Sequence, residues 1–302
     1  MYELTNLNNT TAAAYQGLTF FGLKKCLGQL APEGAYFAIG AKVRSQPVGL
    51  ILAESQPDTN QATIDSIYVM PEHRQKGIGN ALLEKMEQTL MHRGDCQANI
   101  TYSFNLTMPV LEKMLVQRGW SSGAAYSWRC TANAQTLKTF PLHRYPFPSA
   151  YTLFPWQELT SQERETIQQQ QHNILKYPDI LSPFTEESRI EPRVSLGLRY
   201  RGEVVGWILG HRDCKDTIYY RSLFVRADFQ KLARGYSLIP AALKLQLQIP
   251  ELTKLAFIVM QDNPQMLKLV RRRLSPYITA IEQYWRAEKL LTAKELATDM
   301  TI

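Results

Sequence analysis

Apolar and polar positions alternate along several short stretches of this chain, and tight turns or runs of helical spacing join them. Residues 38–43 (Ala-Ile-Gly-Ala-Lys-Val) lead into 46–52 (Gln-Pro-Val-Gly-Leu-Ile-Leu), which predicts two apolar strands joined by a turn at 44–47. The same pattern returns at 195–200 and 203–209, with Arg201-Gly202-Glu203 at the turn. Gly49 and Gly206 hold the same place in the two copies. Asp65-Ser66-Ile67-Tyr68-Val69 is answered by Arg221-Ser222-Leu223-Phe224-Val225, and Tyr126-Ser127-Trp128-Arg129 by Gln283-Tyr284-Trp285-Arg286. A shared order over so long a span, in two long copies, predicts tandem domains and not a solenoid.

Helical spacing follows Gly79, with Ala81, Leu82, Leu83, Met86 and Leu90 on one face and a stop at Arg93-Gly94. Residues 99–104 predict a further strand, and 110–118 a helix closed by Gly119. Each half therefore reads as a strand, a helical region, a strand pair, a third strand feeding a helix, another strand, another helix and a closing strand. This is a mixed α/β (α+β) class: two domains, each a mixed central sheet flanked by helices. The proline-rich stretch 141–149 cannot sustain a helix or a central strand, and after it Tyr151-Thr152-Leu153 restarts as Tyr2-Glu3-Leu4 does. The expected domains are 1–140 and 150–302, with 141–149 as linker. Residues 288–302 show helical spacing at Leu290, Leu291, Leu296 and Met300.

Composition narrows the function classes. No apolar run reaches the roughly 20 residues needed to span a bilayer. The first eleven residues lack the order of a secretory signal, so a cytoplasmic protein with no membrane partner is expected. Cys26, Cys96, Cys130 and Cys214 are widely spaced, with no Cys-x-x-Cys pair, and neither a metal site nor a disulfide framework is expected. The net charge of +7 suits an anionic partner. Arg271-Arg272-Arg273 ends a helical pattern, where cations favour the dipole, and with no reader motif beside it nucleic acid is not the expected partner. Trp128 and Trp285 are read as core residues, and His73 as a solvated turn residue.

The most informative residues are Val69-x-Pro71-x-x-Arg74-x-x-Gly77-x-Gly79. An apolar strand ends, proline forces a turn, and a glycine-rich bend opens into a helix whose first amides point outward at the positive end of the dipole. Such a terminus accepts a pyrophosphate, and glycine permits close backbone approach. Neither the Gly-x-x-x-x-Gly-Lys-Ser/Thr loop nor the Gly-x-Gly-x-x-Gly fingerprint is present.

Preceded by Ile67-Tyr68-Val69 and followed by Asn80-Ala81-Leu82-Leu83, this motif resembles that of the GNAT superfamily of N-acetyltransferases. The resemblance implies a pyrophosphate of acetyl-CoA bound at Arg74, Gln75, Lys76, Gly77, Ile78, Gly79 and Asn80. It also implies that the backbone at Ile67 and Val69 meets the pantetheine arm. An amine attacks the thioester directly in this family, often with an acid on the preceding strand as base. Asp65 holds that place and is expected to share one face with Ile67 and Val69; the alternative is a solvated carboxylate, with Glu54 and Asp58 nearby. The family's frequent tyrosine acid is replaced by Leu115, leaving Tyr102, Tyr126 or water. The second copy reads as degenerate, with Ala227, Gln230 and Ala233 where the first has Pro71, Arg74 and Gly77, although Asn263-Pro264 resembles a later cofactor motif. The expected activity is acetyl-CoA-dependent N-acetylation of a small-molecule or peptide amine by the N-terminal domain. The alternative is a non-catalytic acyl-CoA sensor or partner-binding protein.

Overall fold

Strands form where the apolar period is two and helices where it lengthens. The computed structural model describes residues 1–56, 59–104, 107–142, 148–230 and 234–291. Its strands are β1 (Glu3–Asn6), β2 (Tyr36–Val43), β3 (Gln46–Gln56), β4 (Gln61–Val69), β5 (Gln97–Ser103), β6 (Ala124–Asn133), β7 (Tyr151–Pro155), β8 (Leu196–Tyr200), β9 (Glu203–Cys214), β10 (Thr217–Val225), β11 (Lys254–Met260) and β12 (Ala280–Leu290). Its α-helices are α1 (Lys24–Leu27), α2 (Ile78–His92), α3 (Met108–Gln117), α4 (Ala134–Leu137), α5 (Ser161–Gln170), α6 (Ala227–Gln230), α7 (Arg234–Gln246) and α8 (Pro264–Leu269). Among the described residues no helix is long and apolar enough to cross a membrane.

The chain forms two compact units, Met1–Tyr126 with Gln283–Ile302, and Ser127–Glu282. In the first, β1 to β4 pair antiparallel in sequence order, β4 pairs parallel with β5, and β12 pairs antiparallel with β5. The second unit repeats this plan: β7 to β10 antiparallel, β10 parallel with β11, and β6 antiparallel with β11. Each sheet is thus closed by a strand from the opposite half of the sequence. This corrects the expected limits of 1–140 and 150–302, because β6 leaves the first unit at Ser127 and β12 returns to it at Gln283. The expected linker lies within the second unit where it is described, and residues 143–147 of it lie outside the described residues. The expected C-terminal helix is also corrected at its start: residues 288–290 belong to β12, and 292–302 lie outside the described residues.

The predicted turns are two-residue hairpins with positive φ, at Arg44 (53°) in one unit and at Arg201 (49°) and Gly202 (89°) in the other. The core of the first unit packs Ile78, Leu82, Leu83, Met86 and Leu90 of α2 on Val48, Ile51 and Ala53 of β3. Gly49 lets the helix approach, since a Cβ there would lie 3.1 Å from Leu82 Cδ1 and 3.3 Å from Ile78 Cγ2. Trp285 packs against the same core as expected, whereas Trp128 donates from Nε1 to Gln261 Oε1 (2.7 Å).

Candidate functional site

The loop between β4 and α2 is held by its own side chains. The Met70 amide donates to Val48 O, and the Arg74 amide closes a single turn on Pro71 O. Arg74 Nε donates to Val69 O (2.9 Å), capping the last strand carbonyl, and Lys76 Nζ donates to Glu72 O (2.8 Å). Gln75 and Gly77 both take positive φ, 58° and 80°. Gly77 is the N-cap of α2 and offers no side-chain acceptor. The amides of Gln75, Lys76, Gly77, Ile78, Gly79 and Asn80 consequently have no acceptor among the described residues, while that of Ala81 begins the helical ladder on Gly77 O (3.0 Å). Ile78 is buried and anchors the turn; Gln75, Lys76, Gly77 and Asn80 are exposed. These outward amides at the positive end of a 15-residue helix fit a pyrophosphate.

Next to this turn the sheet opens. β4 and β5 pair only from Gln61–Gln97 to Ile64–Ile100, yet β4 continues to Val69 and β5 to Ser103. The backbone of β4 from Asp65 onward therefore has no strand partner but β3, leaving the edge at Ile67 and the Val69 amide unclaimed among the described residues, while Val69 O accepts from Arg74 Nε. Asp65 sits where the strands part. It is the extra residue of a β-bulge, since Ile64 pairs with Ala53 and Ser66 with Leu52.

The bulge corrects the expected alternation. Ile64, Ile67 and Val69 all pack toward α2. Asp65 instead belongs with Leu52, Tyr36 and Cys26 on the opposite face, where Glu54 acts on it and both carboxyl groups act on Cys26. Burial, and then the charge of Glu54, push the Asp65 carboxyl up to about 7. Its Oδ2 is buried with no hydrogen-bond partner among the described residues. Burial and Glu54 also raise the Tyr36 phenol. Sequence reading missed this grouping; the only signal for it was the pairing of two apolar strands that sets Tyr36 opposite Glu54. Asp58 lies outside the described residues.

The acid candidates are engaged elsewhere. Leu115 is fully buried in the α2 core. Tyr102 donates to Glu112 Oε1 (3.3 Å), and burial followed by Glu112 raises it to about 12. The Tyr126 hydroxyl accepts from Arg286 Nη1 (3.1 Å).

The second unit keeps the frame with different chemistry. β10 and β11 pair only from Thr217–Lys254 to Tyr219–Ala256 before they part. Arg221 is the bulge residue, in the place of Asp65. Gln230 Nε2 donates to Val225 O (2.7 Å), reproducing the strand cap made by Arg74. Asn263 Oδ1 accepts from the Met266 amide (2.9 Å) and so caps α8. Residues 231–233 lie outside the described residues.

Residues 3–108 match the Acetyltransferase (GNAT) family. No curated protein matches the chain. Among solved structures, a tandem GNAT protein from the clavulanic acid biosynthesis pathway is 18% identical, with 95% of this chain and 98% of that one covered at a TM-score of 0.68. A GCN5-related N-acetyltransferase from Sphaerobacter thermophilus is 15% identical, with 96% of each chain covered at a TM-score of 0.69. At such identities the likeness establishes the fold over both units. Residues 3–108 thus carry a GNAT-family domain, and the chain as a whole has the tandem GNAT fold.

Proposed function

We propose that the chain is an acetyl-CoA-dependent N-acetyltransferase whose first unit holds the cofactor and acetylates an amine. The observation that carries this reading is the run of unpartnered amides from Gln75 to Asn80, turned outward at the start of α2. These amides and the glycines would receive the pyrophosphate. The free edge of β4 at Ile67 and Val69 would pair with the pantetheine arm, and its fixed donors would stabilise the oxyanion. Arg74 and Lys76 act first as loop ties and second as a positive rim. The bound cofactor supplies an activated acetyl thioester.

Asp65 then has the general-base role. An alkyl amine with a pKa of about 10.4 is protonated at neutral pH and must lose a proton before it attacks. A carboxyl held near 7 is ionised above that pH and is a better base than an ordinary one. Glu54 beside it adds negative charge that attracts a cationic acceptor, a small molecule or a peptide amine. A thiolate, with a reference pKa of about 8.5, leaves readily without a strong acid, so Leu115 is compatible with turnover. The same lack of a hydroxyl at position 115 favours the second reading, a non-catalytic acyl-CoA sensor.

Calorimetric titration of acetyl-CoA tests the cofactor assignment. Binding near one equivalent is expected, lost in Gly77→Glu/Gly79→Glu. Binding that survives the double variant would move the cofactor elsewhere. Binding without transfer to any amine, peptide or protein would establish the sensor.

A further inference from the structure

The second unit contains a cavity of about 410 Å³ that passes through its own sheet where β10 and β11 part. Leu255, Phe257 and Val259 of β11 face α4, α7 and α8, and with Ile239, Leu243 and Leu274 they form its inner end. On the opposite face the cavity meets Pro178, Ile180, Ile258 and Arg221. Ile180 and Ile258 are 52% and 38% exposed, which puts the mouth on this face.

The wall is mostly apolar, and its polar side chains are Arg221, Asp262, Asn263 and the tyrosines Tyr219, Tyr220 and Tyr277. Arg221 is held at the mouth by a bond from Nη1 to Ser182 O (3.3 Å), with Nε 3.8 Å from Glu186 Oε2. That second contact is longer than a hydrogen bond. Asp262 lies in the turn that follows β11, two residues beyond Met260. An anionic head is placed at Arg221, the cation of the lining, and not at Asp262. Asn263 Oδ1 is taken by the cap of α8.

At one and the same bulge the first unit carries the carboxyl of Asp65 and the second a guanidinium, so the second site favours an anion. The positions that would anchor a pyrophosphate have changed as well, with Ala227, Gln230 and Ala233 in place of Pro71, Arg74 and Gly77. Among the described residues the cavity lining is largely apolar and holds one cation, Arg221, which fits a ligand that has a single anionic head and a hydrocarbon body.

We propose that this cavity binds an aliphatic carboxylate of about ten carbons, a small-molecule size suited to such a volume. Its chain passes through the gap between β10 and β11, and its head rests on Arg221. The site is independent of the cofactor reading for the first unit.

The test is calorimetric titration of the full chain with decanoate and with decanol. Decanoate is expected to bind near one equivalent and to raise the melting temperature. Arg221→Gln should weaken decanoate about tenfold, the loss of one charge-assisted bond, and leave decanol unchanged. Ile239→Trp should fill the inner end and abolish both, with the unliganded melting temperature retained. Gly77→Glu/Gly79→Glu should leave decanoate binding intact, which separates this result from the fate of the cofactor proposal. Absence of decanoate binding, equal affinity in Ile239→Trp, equal losses for acid and alcohol in Arg221→Gln, or displacement of decanoate by acetyl-CoA would each overturn it.

Discussion

Asp65 is costly to the fold and, in the proposed mechanism, valuable to the chemistry, for one physical reason. Its carboxyl is raised from an ordinary 3.8 to about 7 because it is buried and faces Glu54. Between those two values the folded chain binds a proton that the unfolded chain has released, so stability falls as pH rises from about 4 to about 7. The displacement sets a ceiling of roughly 4 kcal/mol on this loss. Asp65→Asn should therefore melt above the wild type at pH 8, with the two curves converging toward pH 4. Acetyl transfer should respond in the opposite sense, falling about 100-fold or more. In the wild type kcat/KM should drop below an apparent pKa near 7, and the variant should lack that limb. Equal melting temperatures at pH 8 would mean that the carboxyl is hydrated and not a tuned base. The position of Asp65 was legible in the chain, because an acid four residues before the strand end stands out. Its face was not, because a bulge adds one residue to one strand without any change in the alternation of residue types.

At the scale of the element, α2 does two jobs from its two ends. Its first turn presents free amides, while its body is fixed by a buried carboxylate. Glu87, 1% exposed, accepts from Arg118 Nη2 (2.8 Å), Trp120 Nε1 (2.7 Å) and Lys289 Nζ (3.1 Å), and Lys289 itself is 5% exposed. This network ties α2 to the turn after α3 and to β12. Glu87→Ala removes the shared acceptor and should cost about 3–5 kcal/mol of unfolding free energy, measured by denaturant titration. Glu87→Leu, in which the acceptor is lost but the volume kept, should do no better, since the ammonium of Lys289 stays buried. A loss below 1 kcal/mol would mean that water or another acceptor replaces the carboxylate. Helix limits were well marked in the sequence: spacing from Gly79 and a stop at Arg93-Gly94 anticipate Ile78–His92. The role of Glu87 was hidden, because it reads as one more polar helix residue and its ammonium partner lies 202 residues away.

For the whole molecule, the repeat was legible because period-two strands, hairpin glycines and the strand order recur in both halves. The exchange of closing strands was not. β6 and β12 carry near-equivalent segments, Tyr126-Ser127-Trp128-Arg129 and Gln283-Tyr284-Trp285-Arg286, so either could close either sheet without altering the pattern. Only the pairing of β12 with β5 and of β6 with β11 decides it. The exchange makes each unit depend on sequence from beyond its own half. A fragment of residues 1–140 retains the whole loop between β4 and α2 but lacks β12, and with it the buried Ala287 and Leu291, the Lys289 contact to Glu87 and the ladder on β5. It also leaves β5 as an exposed edge, which invites aggregation. This fragment should lack a cooperative thermal transition and acetyl-CoA binding. Joining residues 1–126 to 283–291 through a flexible Gly/Ser linker should restore both, because that chain contains every strand of the first sheet. A cooperative transition in 1–140 would mean that β6 can turn back and close the first sheet itself. Then the exchange would be one of two near-equal pairings, and the likeness of the two segments would be its cause.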